Sequence, residues 1–486
     1  MDRGVAVLTR RPWTAAEVDV MKDCTVTYSD FVARKLAAIP PVGIDPPDSL
    51  AGPLFPHQDA LCRWAIRRGR AAVFADTGLG KTRIQLAWAD AVHRATGLDV
   101  LILAPLAVAE QTAEEGAGIG VNVRHARTGT DTTTGINITN YERLHRFDTD
   151  QFGAVVLDES SCIKHHDTKT LATLMAAFRN TPYKLCATAT PAPNDWTELG
   201  THAEFLGVCT QAEMLSEYFV HDGGETQVWR LKGHARHEFW RWVSSWGALV
   251  RSPSDLGFDG SAYILPPLSV SEHLSRTDAE ADEGKLFALE ASTLSERRAA
   301  RKASLEHRVN DCAVMVNADR QPWVVWCDLN AESEALRKAI PDAVEIRGSD
   351  TVDHKERALA DFAHGRVRVL ISKPSICGFG LNWQHCARMA FVGVTDSFEA
   401  YYQAVRRCWR FGQHRPVDVH IFASQLEGAI IANLKRKEAD AKAMSESLAA
   451  ETGEAIRESV LGSVRTTNEY HATRAVKLPA FMRASA

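Results

Sequence analysis

The sequence holds ten cysteines and not one Cys-x-x-Cys pair. They stand singly, at Cys24, Cys62, Cys162, Cys186, Cys209, Cys312, Cys327, Cys377, Cys386 and Cys408. Structural zinc sites need thiolates in close pairs and a disulfide frame belongs to short secreted chains, so neither is expected here. Several of these thiols lie in apolar, strand-like runs and read as reduced core residues. A surplus of positive charge is also missing. The 56 Lys and Arg against 61 Asp and Glu leave a net charge of −5, with a pI near 6.4. Overall charge therefore gives no push toward nucleic acid, and such a partner would have to be held by a local basic surface. No basic region followed by an apolar core opens the chain, and no apolar run approaches the length of a membrane span. The expectation is a soluble, cytoplasmic protein with no membrane partner. There is no low-complexity segment or fixed-period repeat, and 486 residues exceed what one core accommodates. Two or three domains are expected.

What is present begins with Ala75-Asp76-Thr77-Gly78-Leu79-Gly80-Lys81-Thr82, which follows the apolar run Ala71–Phe74 and opens into a helical pattern, Arg83–Trp88. Strand, glycine-rich loop and helix in that order gather backbone N–H groups and a helix N-terminus into one phosphate-binding concavity. Lys81 would reach the outer phosphates and the Thr82 hydroxyl would bind Mg²⁺. The first loop position is Ala75 where the general pattern has Gly.

Continuous apolar runs alternate with helical patterns after the loop: Val100–Ala104, Ile136–Thr139, Ala154–Leu157 and Leu185–Thr188. A second series occupies Val324–Cys327, Ala343–Ile346, Val367–Ser372, Met389–Gly393 and Val417–Phe422. Such runs predict parallel sheets covered on both faces, hence two α/β domains. Residues 195–320 read as helical, aromatic and charged, with no comparable run of strands until Tyr263-Ile264-Leu265. There Trp229, Arg230, Lys232, Arg236, Phe239, Trp240, Arg241, Trp242 and Trp246 crowd together. They form either a basic aromatic surface for nucleic acid or, more simply for the aromatics, the buried face of an insertion. The basic helix Leu294–Arg308 reads most simply as a solvated face that could also touch phosphates. Tyr28–Ala38 reads as a docking helix closed by prolines. The expected division is 1–50, an N-terminal extension; 51–208, the first domain; 209–320, a helical insertion and linker; 321–440, the second domain; and 441–486, a tail that begins as an acidic helix.

Asp158 and Glu159 end the run Ala154–Leu157, where strand ends of a parallel sheet face the ligand crevice. Asp158 would share the Mg²⁺ with Thr82, and Glu159 would orient or deprotonate the attacking water. Downstream, Gln403–Gln413 places Arg407 and Arg410 one helical turn apart, with Trp409 and Phe411 between and beside them. A fixed guanidinium suits the equatorial oxygens of a transferring phosphoryl group. If both arginines reach across from the second domain, hydrolysis requires the domains to close. Gln58, in Phe55-Pro56-His57-Gln58, could bond an adenine edge or simply begin a capped helix.

This ordered set resembles superfamily 2 helicases and translocases, most closely their Swi/Snf-type branch and the helicase-like proteins of bacteriophages and prophages. Phe55–Gln58 resembles the adenine-recognising element, and Ala75–Thr82 the family's A-x-x-G-x-G-K-T loop. Leu157-Asp158-Glu159-Ser160-Ser161 is similar to the D-E-x-x box, with Ser-Ser in place of Ala-Asp or Ala-His. Ala187–Asn194 resembles the Thr-Gly-Thr-Pro motif with Ala189 for Gly. Leu103-Ala104-Pro105-Leu106 and Thr139-Asn140-Tyr141-Glu142 resemble strand-contacting motifs. Ser372-Lys373 and Gly378–Asn382 resemble a motif that meets both DNA and nucleotide, and Pro374–Cys377 depart from its usual filling. Gln403, Arg407 and Arg410 match the sixth motif, and Gly412-Gln413 its Swi/Snf-like ending.

The resemblance implies two RecA-like parallel-sheet domains in tandem with a helical insertion between them, ATP and Mg²⁺ as cofactors, and DNA as partner. It assigns Lys81, Asp158, Glu159, Arg407 and Arg410 to catalysis, with Thr82 and Asp158 on the metal. Gln58, Thr77, Gly78, Leu79, Gly80, Lys81, Thr82, Gly380 and Gln403 fall to the nucleotide. Pro105, Asn140, Tyr141, Thr188, Thr190, Ser372, Lys373 and Asn382 fall to nucleic acid. The implied activity is a DNA-dependent ATPase that acts as a helicase or double-stranded DNA translocase through sequence-independent phosphate contacts. The alternatives are the motor subunit of a restriction or modification system with a partner nuclease or methylase, and a nucleotide-dependent DNA clamp or loader that does not translocate.

Overall fold

The computed structural model of the chain describes residues 41–105, 108–163, 168–192, 195–221, 229–275, 304–377, 382–393, 397–424, 432–433, 435–437 and 453–462. The expected docking helix over 28–38, Leu106, Pro193 and Asn194, residues 294–303, Gly378–Leu381 with Gly380 among them, and most of the tail lie outside these residues. Val42–Ala486 forms one compact unit, distinct from Met1–Pro41.

The first lobe is built on β1 (Arg70–Ala75), β2 (Asp99–Ala104), β3 (Val123–His125), β4 (Ile136–Asn140), β5 (Phe152–Asp158) and β6 (Tyr183–Ala187). A short antiparallel hairpin, β7 (Phe219–His221) with β8 (Trp229–Leu231), stands outside its sheet. β9 (Gly247–Val250) completes the sheet in the order β3-β4-β2-β5-β6-β1-β9. Every pairing is parallel. Strands covered on both faces are largely apolar, and Ala71–Ala75, Val100–Ala104 and Ala154–Leu157 are all buried. Parallel strands end at one edge of the sheet, so the loop after β1 and the carboxylates after β5 share it.

The second lobe repeats the plan with β10 (Leu268–Ser275), β11 (Trp323–Cys327), β12 (Ala343–Glu345), β13 (Val369–Ser372), β14 (Arg388–Val392) and β15 (Val417–Ser424). Their order is β10-β15-β14-β11-β13-β12, again with all pairings parallel. The architecture is two RecA-like α/β domains in tandem: the alternating runs predict the two α/β domains, and the resemblance implies their RecA-like plan.

The stretch between the lobes contributes to both sheets. β9 pairs with β1 from Ala72↔Gly247 to Ala75↔Val250, and β10 pairs with β15 over eight residues. The strand expected at Tyr263-Ile264-Leu265 is absent: Ser261–Tyr263 is a single 3-10 turn and Ile264 is 81% exposed. β9 follows directly on the tryptophan-rich helix Arg236–Ser244, which hides it in the helical pattern. β10 is an edge strand with Ser269, Ser271 and Glu272, so it lacks the apolar signature of a covered strand. Phe239, Trp240 and Trp246 are buried, and Trp246 meets Phe74 of β1 edge-on at 6.1 Å. Arg230, Arg236 and Arg241 stay exposed. Phe239, Trp240 and Trp246 are therefore packing residues, while Trp229 and Trp242 are half-buried.

Within the second lobe, Arg308 is fully buried against Glu332 at 2.9 Å, which corrects its reading as the end of a solvated helix. The described helix begins at Leu305. Residues 453–461 form a helical segment that returns to the first lobe. Ile456 and Val460 join that lobe's core, Trp64 Nε1 donates to Ser459 Oγ at 3.0 Å, and Ser459 Oγ donates to the Ser244 carbonyl at 2.7 Å. No helix among the described residues is long and apolar enough to cross a membrane.

Candidate nucleotide site between the lobes

The loop after β1 turns through two glycines with positive φ, Gly78 at 95° and Gly80 at 81°, before the helix Lys81–Thr96 begins. Both positions are crowded as well as left-handed. A Cβ on Gly80 would lie 2.2 Å from Gln58 Nε2, and one on Gly78 would lie 3.0 Å from Phe411. Gln58 is 2% exposed; its Oε1 accepts from Phe55 N–H and its Nε2 donates to the Leu79 carbonyl, each at 3.1 Å. It thus ties the helix Pro56–Arg68 to the loop. Lys81 Nζ donates to the Ala75 carbonyl at 2.9 Å and to the Asp76 carbonyl at 3.4 Å. Burial lowers its pKa, and the nearby charges of Glu159, Asp76 and Asp158 oppose that shift.

At the end of β5, Asp158 and Glu159 are both buried. Gln85 Nε2 donates to Asp158 Oδ1 at 2.6 Å, and the Tyr141 hydroxyl donates to the Asp158 carbonyl at 2.7 Å. Burial, and then the charge of Glu159, hold the Asp158 carboxyl above the usual range, against the Gln85 bond and Lys81. Glu159 has φ 50°, the one positive φ outside glycine among the described residues. Such a backbone costs on the order of 1–3 kcal/mol and persists where the surroundings enforce it. Its buried Oε2 has no hydrogen-bond partner among the described residues.

The second lobe supplies the opposite wall. Arg407 is 1% exposed, with Nε on the Gln403 carbonyl at 2.9 Å and Nη2 on Gln403 Oε1 at 2.8 Å. Arg407 and Arg410 are expected one turn apart on a helix. The helix Phe398–Val405 stops before them and they lie on the turn that follows. Gly412 at φ 89° and Gln413 shape that turn, Gln413 Nε2 donating to the Gln384 and Cys386 carbonyls at 2.9 Å each. Burial, with Arg407 and then Arg406 beside it, holds Arg410 below its usual pKa. A guanidinium so placed stays charged near neutral pH.

These walls enclose a cavity of about 340 Å³ bordered by Thr77, Gly78, Gly80, Lys81, Thr82, Asp158 and Glu159 from one lobe and Asn382, Arg407, Arg410 and Phe411 from the other. Gln58 also borders it; Leu79 and Gln403 do not. Gln403 is 1% exposed and bridges the lobes, Nε2 to Thr190 Oγ1 at 3.4 Å. The residues present fit a magnesium triphosphate. Thr82 and Asp158 border one cavity, Glu159 offers an unpaired buried acceptor, and cations face them across it. Among the described residues no group of three or more His, Cys, Asp and Glu gathers to hold a metal. Magnesium held mainly by phosphates needs only one or two protein carboxylates.

A second cavity of about 560 Å³ shares Glu159 with the first, and Pro105 and Tyr141 border it beside Glu142, Ser161, Lys355 and Glu399. Of the other residues expected to meet nucleic acid, Asn140, Thr188 and Ser372 are buried with their side chains engaged internally. Asn140 Oδ1 accepts from Arg143 N–H at 3.1 Å, Thr188 Oγ1 from Thr190 N–H at 3.2 Å, and Ser372 Oγ donates to the Ile346 carbonyl at 3.1 Å. Lys373 is half-buried, and Asn382 borders the nucleotide cavity instead. Sequence reasoning misses Gln85, Tyr402 and Arg406. Gln85 reads as a helix residue, and Arg406 gives no local signal because its partner Asp76 is 330 positions away.

Residues 55–199 match the DEAD/DEAH box helicase family, and residues 300–412 match the helicase conserved C-terminal domain. Protein p41 of Acyrthosiphon pisum secondary endosymbiont phage 1 is 23% identical over 432 residues, covering 75% of this chain and 91% of that protein. One match falls on each lobe of the cleft, and together they support a helicase-like ATPase of superfamily 2, with the ATP hydrolysis and nucleic-acid binding that helicase domains generally imply.

Proposed function

We propose that the chain is a DNA-stimulated ATPase that works as a helicase or double-stranded DNA translocase, with ATP closing two lobes on nucleic acid. The observation that carries this reading is the cavity shared by the phosphate loop, the two carboxylates and the arginines of the other lobe. Thr82 and Asp158 would hold Mg²⁺, which neutralises phosphate charge. Lys81 leaves the Ala75 and Asp76 carbonyls to meet the outer phosphates. Glu159, strained and with an unpaired oxygen, orients the attacking water and takes its proton. Arg407 and Arg410 face the charge that develops on the transferred group. A clamp that does not hydrolyse has no need of a glutamate held this way, so the motor reading is preferred. Gly412-Gln413 and the long segment between the lobes favour duplex translocation over strand separation. Measuring phosphate release with duplex DNA, single-stranded DNA and RNA tests the proposal, and no stimulation by any DNA would sink it. Displacement of a protein roadblock along duplex DNA separates motor from clamp.

A further inference from the structure

The second lobe also grips the phosphate loop outside the cavity. Arg406, 5% exposed, donates from Nη2 to Asp76 Oδ2 and to the Thr77 carbonyl, each at 2.9 Å. The Tyr402 hydroxyl donates to Asp76 Oδ1 at 3.2 Å, the same oxygen that accepts from Thr77 N–H at 2.6 Å. Asp76 N–H in turn donates to the Val250 carbonyl at 2.9 Å, which anchors it to β9. The guanidinium lies over the rings of Tyr402 and Trp409, 5.6 and 5.3 Å from their centroids. Neither Arg406 nor Asp76 borders the nucleotide cavity.

A guanidinium held by two rings and by a carboxylate has little freedom left, and a buried charge that loses its partner is strongly disfavoured. The contact therefore exists in one relative position of the lobes and is lost when they part. It needs no nucleotide, since every group in it belongs to the protein. We propose that Arg406 is a positioning residue: with Tyr402 it latches the loop to the second lobe, so that part of the nucleotide-free population already holds the closed arrangement that ATP completes. This rests on reading the cavity as the nucleotide site. Apparent affinity falls in proportion to the fraction of molecules in the competent state. Losing a buried, charge-assisted contact should therefore raise KM for ATP about tenfold. Turnover changes less, because Arg407 and Arg410 still reach the cavity once nucleotide draws the lobes together.

The test uses the full chain with Arg406→Gln, Arg406→Lys, Asp76→Asn and the double variant Asp76→Asn with Arg406→Gln. Two quantities are read: KM and kcat for ATP with duplex DNA, and the radius of gyration without nucleotide by small-angle X-ray scattering. Arg406→Gln should raise KM about tenfold, leave kcat within about threefold, and expand the nucleotide-free protein. Arg406→Lys should recover part of the loss, and Asp76→Asn should add little to Arg406→Gln. An unchanged KM, fully additive losses, or an unchanged radius would each overturn the latch. Should Arg406→Gln fail to fold, Tyr402→Phe removes a single hydroxyl and should raise KM about threefold, and no rise overturns the proposal. Absence of ATP turnover in the unmodified protein counts against the proposed function alone; scattering then decides the latch.

Discussion

Replacing Gly78 by alanine probes how closely the second lobe approaches the phosphate loop. Two costs follow from the structure. The backbone at φ 95° is one that side chains avoid, a penalty of about 1–2 kcal/mol wherever the lobes sit. The added Cβ would also stand 3.0 Å from both Cβ and the backbone N of Phe411. Those atoms cannot swing aside as a ring could, so the contact is relieved only when the lobes separate by a few tenths of an ångström or the loop deforms. The second cost thus falls on the closed state and adds on the order of 1 kcal/mol there. Each 1.4 kcal/mol is a factor of ten, so the closed-state cost alone should raise KM for ATP about fivefold in Gly78→Ala. The backbone penalty alone should lower Tm by about 2–8 °C. Steady-state kinetics and thermal melts read the two effects separately. Phe411→Ala keeps both of the atoms that collide and should not rescue the variant. A KM within about twofold of the unmodified protein, or full rescue by Phe411→Ala, would refute this account of the interface.

Three further outcomes concern stability. Arg308→Met leaves Glu332 buried without its cation and should cost about 3–5 kcal/mol in chemical denaturation. His202 is fully buried beside Ser160 Oγ at 3.1 Å and edge-on to Phe74, and burial pushes its imidazole down to about 4 from 6.5. The folded protein therefore holds His202 neutral where the unfolded chain takes up a proton. Its stability contribution is complete above pH 6.5 and declines toward pH 4 by about 3 kcal/mol in all, and His202→Gln should flatten that part of the pH profile. Ending the chain at residue 452 removes Ile456, Val460 and the Ser459–Trp64 bond. At about 1.5–3 kcal/mol for each buried aliphatic side chain, first-lobe stability should fall by several kcal/mol, visible in its melting transition.

Much of the fold is legible in the sequence because strands buried on both faces are largely apolar. β2, β5, β6 and the core strands of the second lobe announce themselves as apolar runs, whereas β4 shows only through Ile136 and Ile138 and buries Asn137, Thr139 and Asn140 beside them. β10 does not, because an edge strand keeps serines and a glutamate, and β3 is only three residues long. At the site, Lys81, Asp158, Glu159, Arg407 and Arg410 read from local patterns all border one cavity. Their contexts are less legible. Gly412 and Gln413 turn what looks like a helix into a tight bend, and Gln403 faces Thr190 rather than the cavity. Arg406 and Asp76 carry no local pattern because their meaning lies in a contact between lobes.

The central claim is that one composite site spans both lobes and hydrolyses ATP. It is tested most directly by ATP turnover on duplex DNA with Arg410→Ala, a change 330 positions after the Gly80 of the loop it must reach. An arginine that meets the developing phosphoryl charge contributes roughly 10³–10⁵ in rate. The account predicts that turnover falls by at least about a thousandfold while nucleotide binding changes far less. Turnover within about tenfold of the unmodified protein would contradict it, because the second lobe would then take no part in the chemistry.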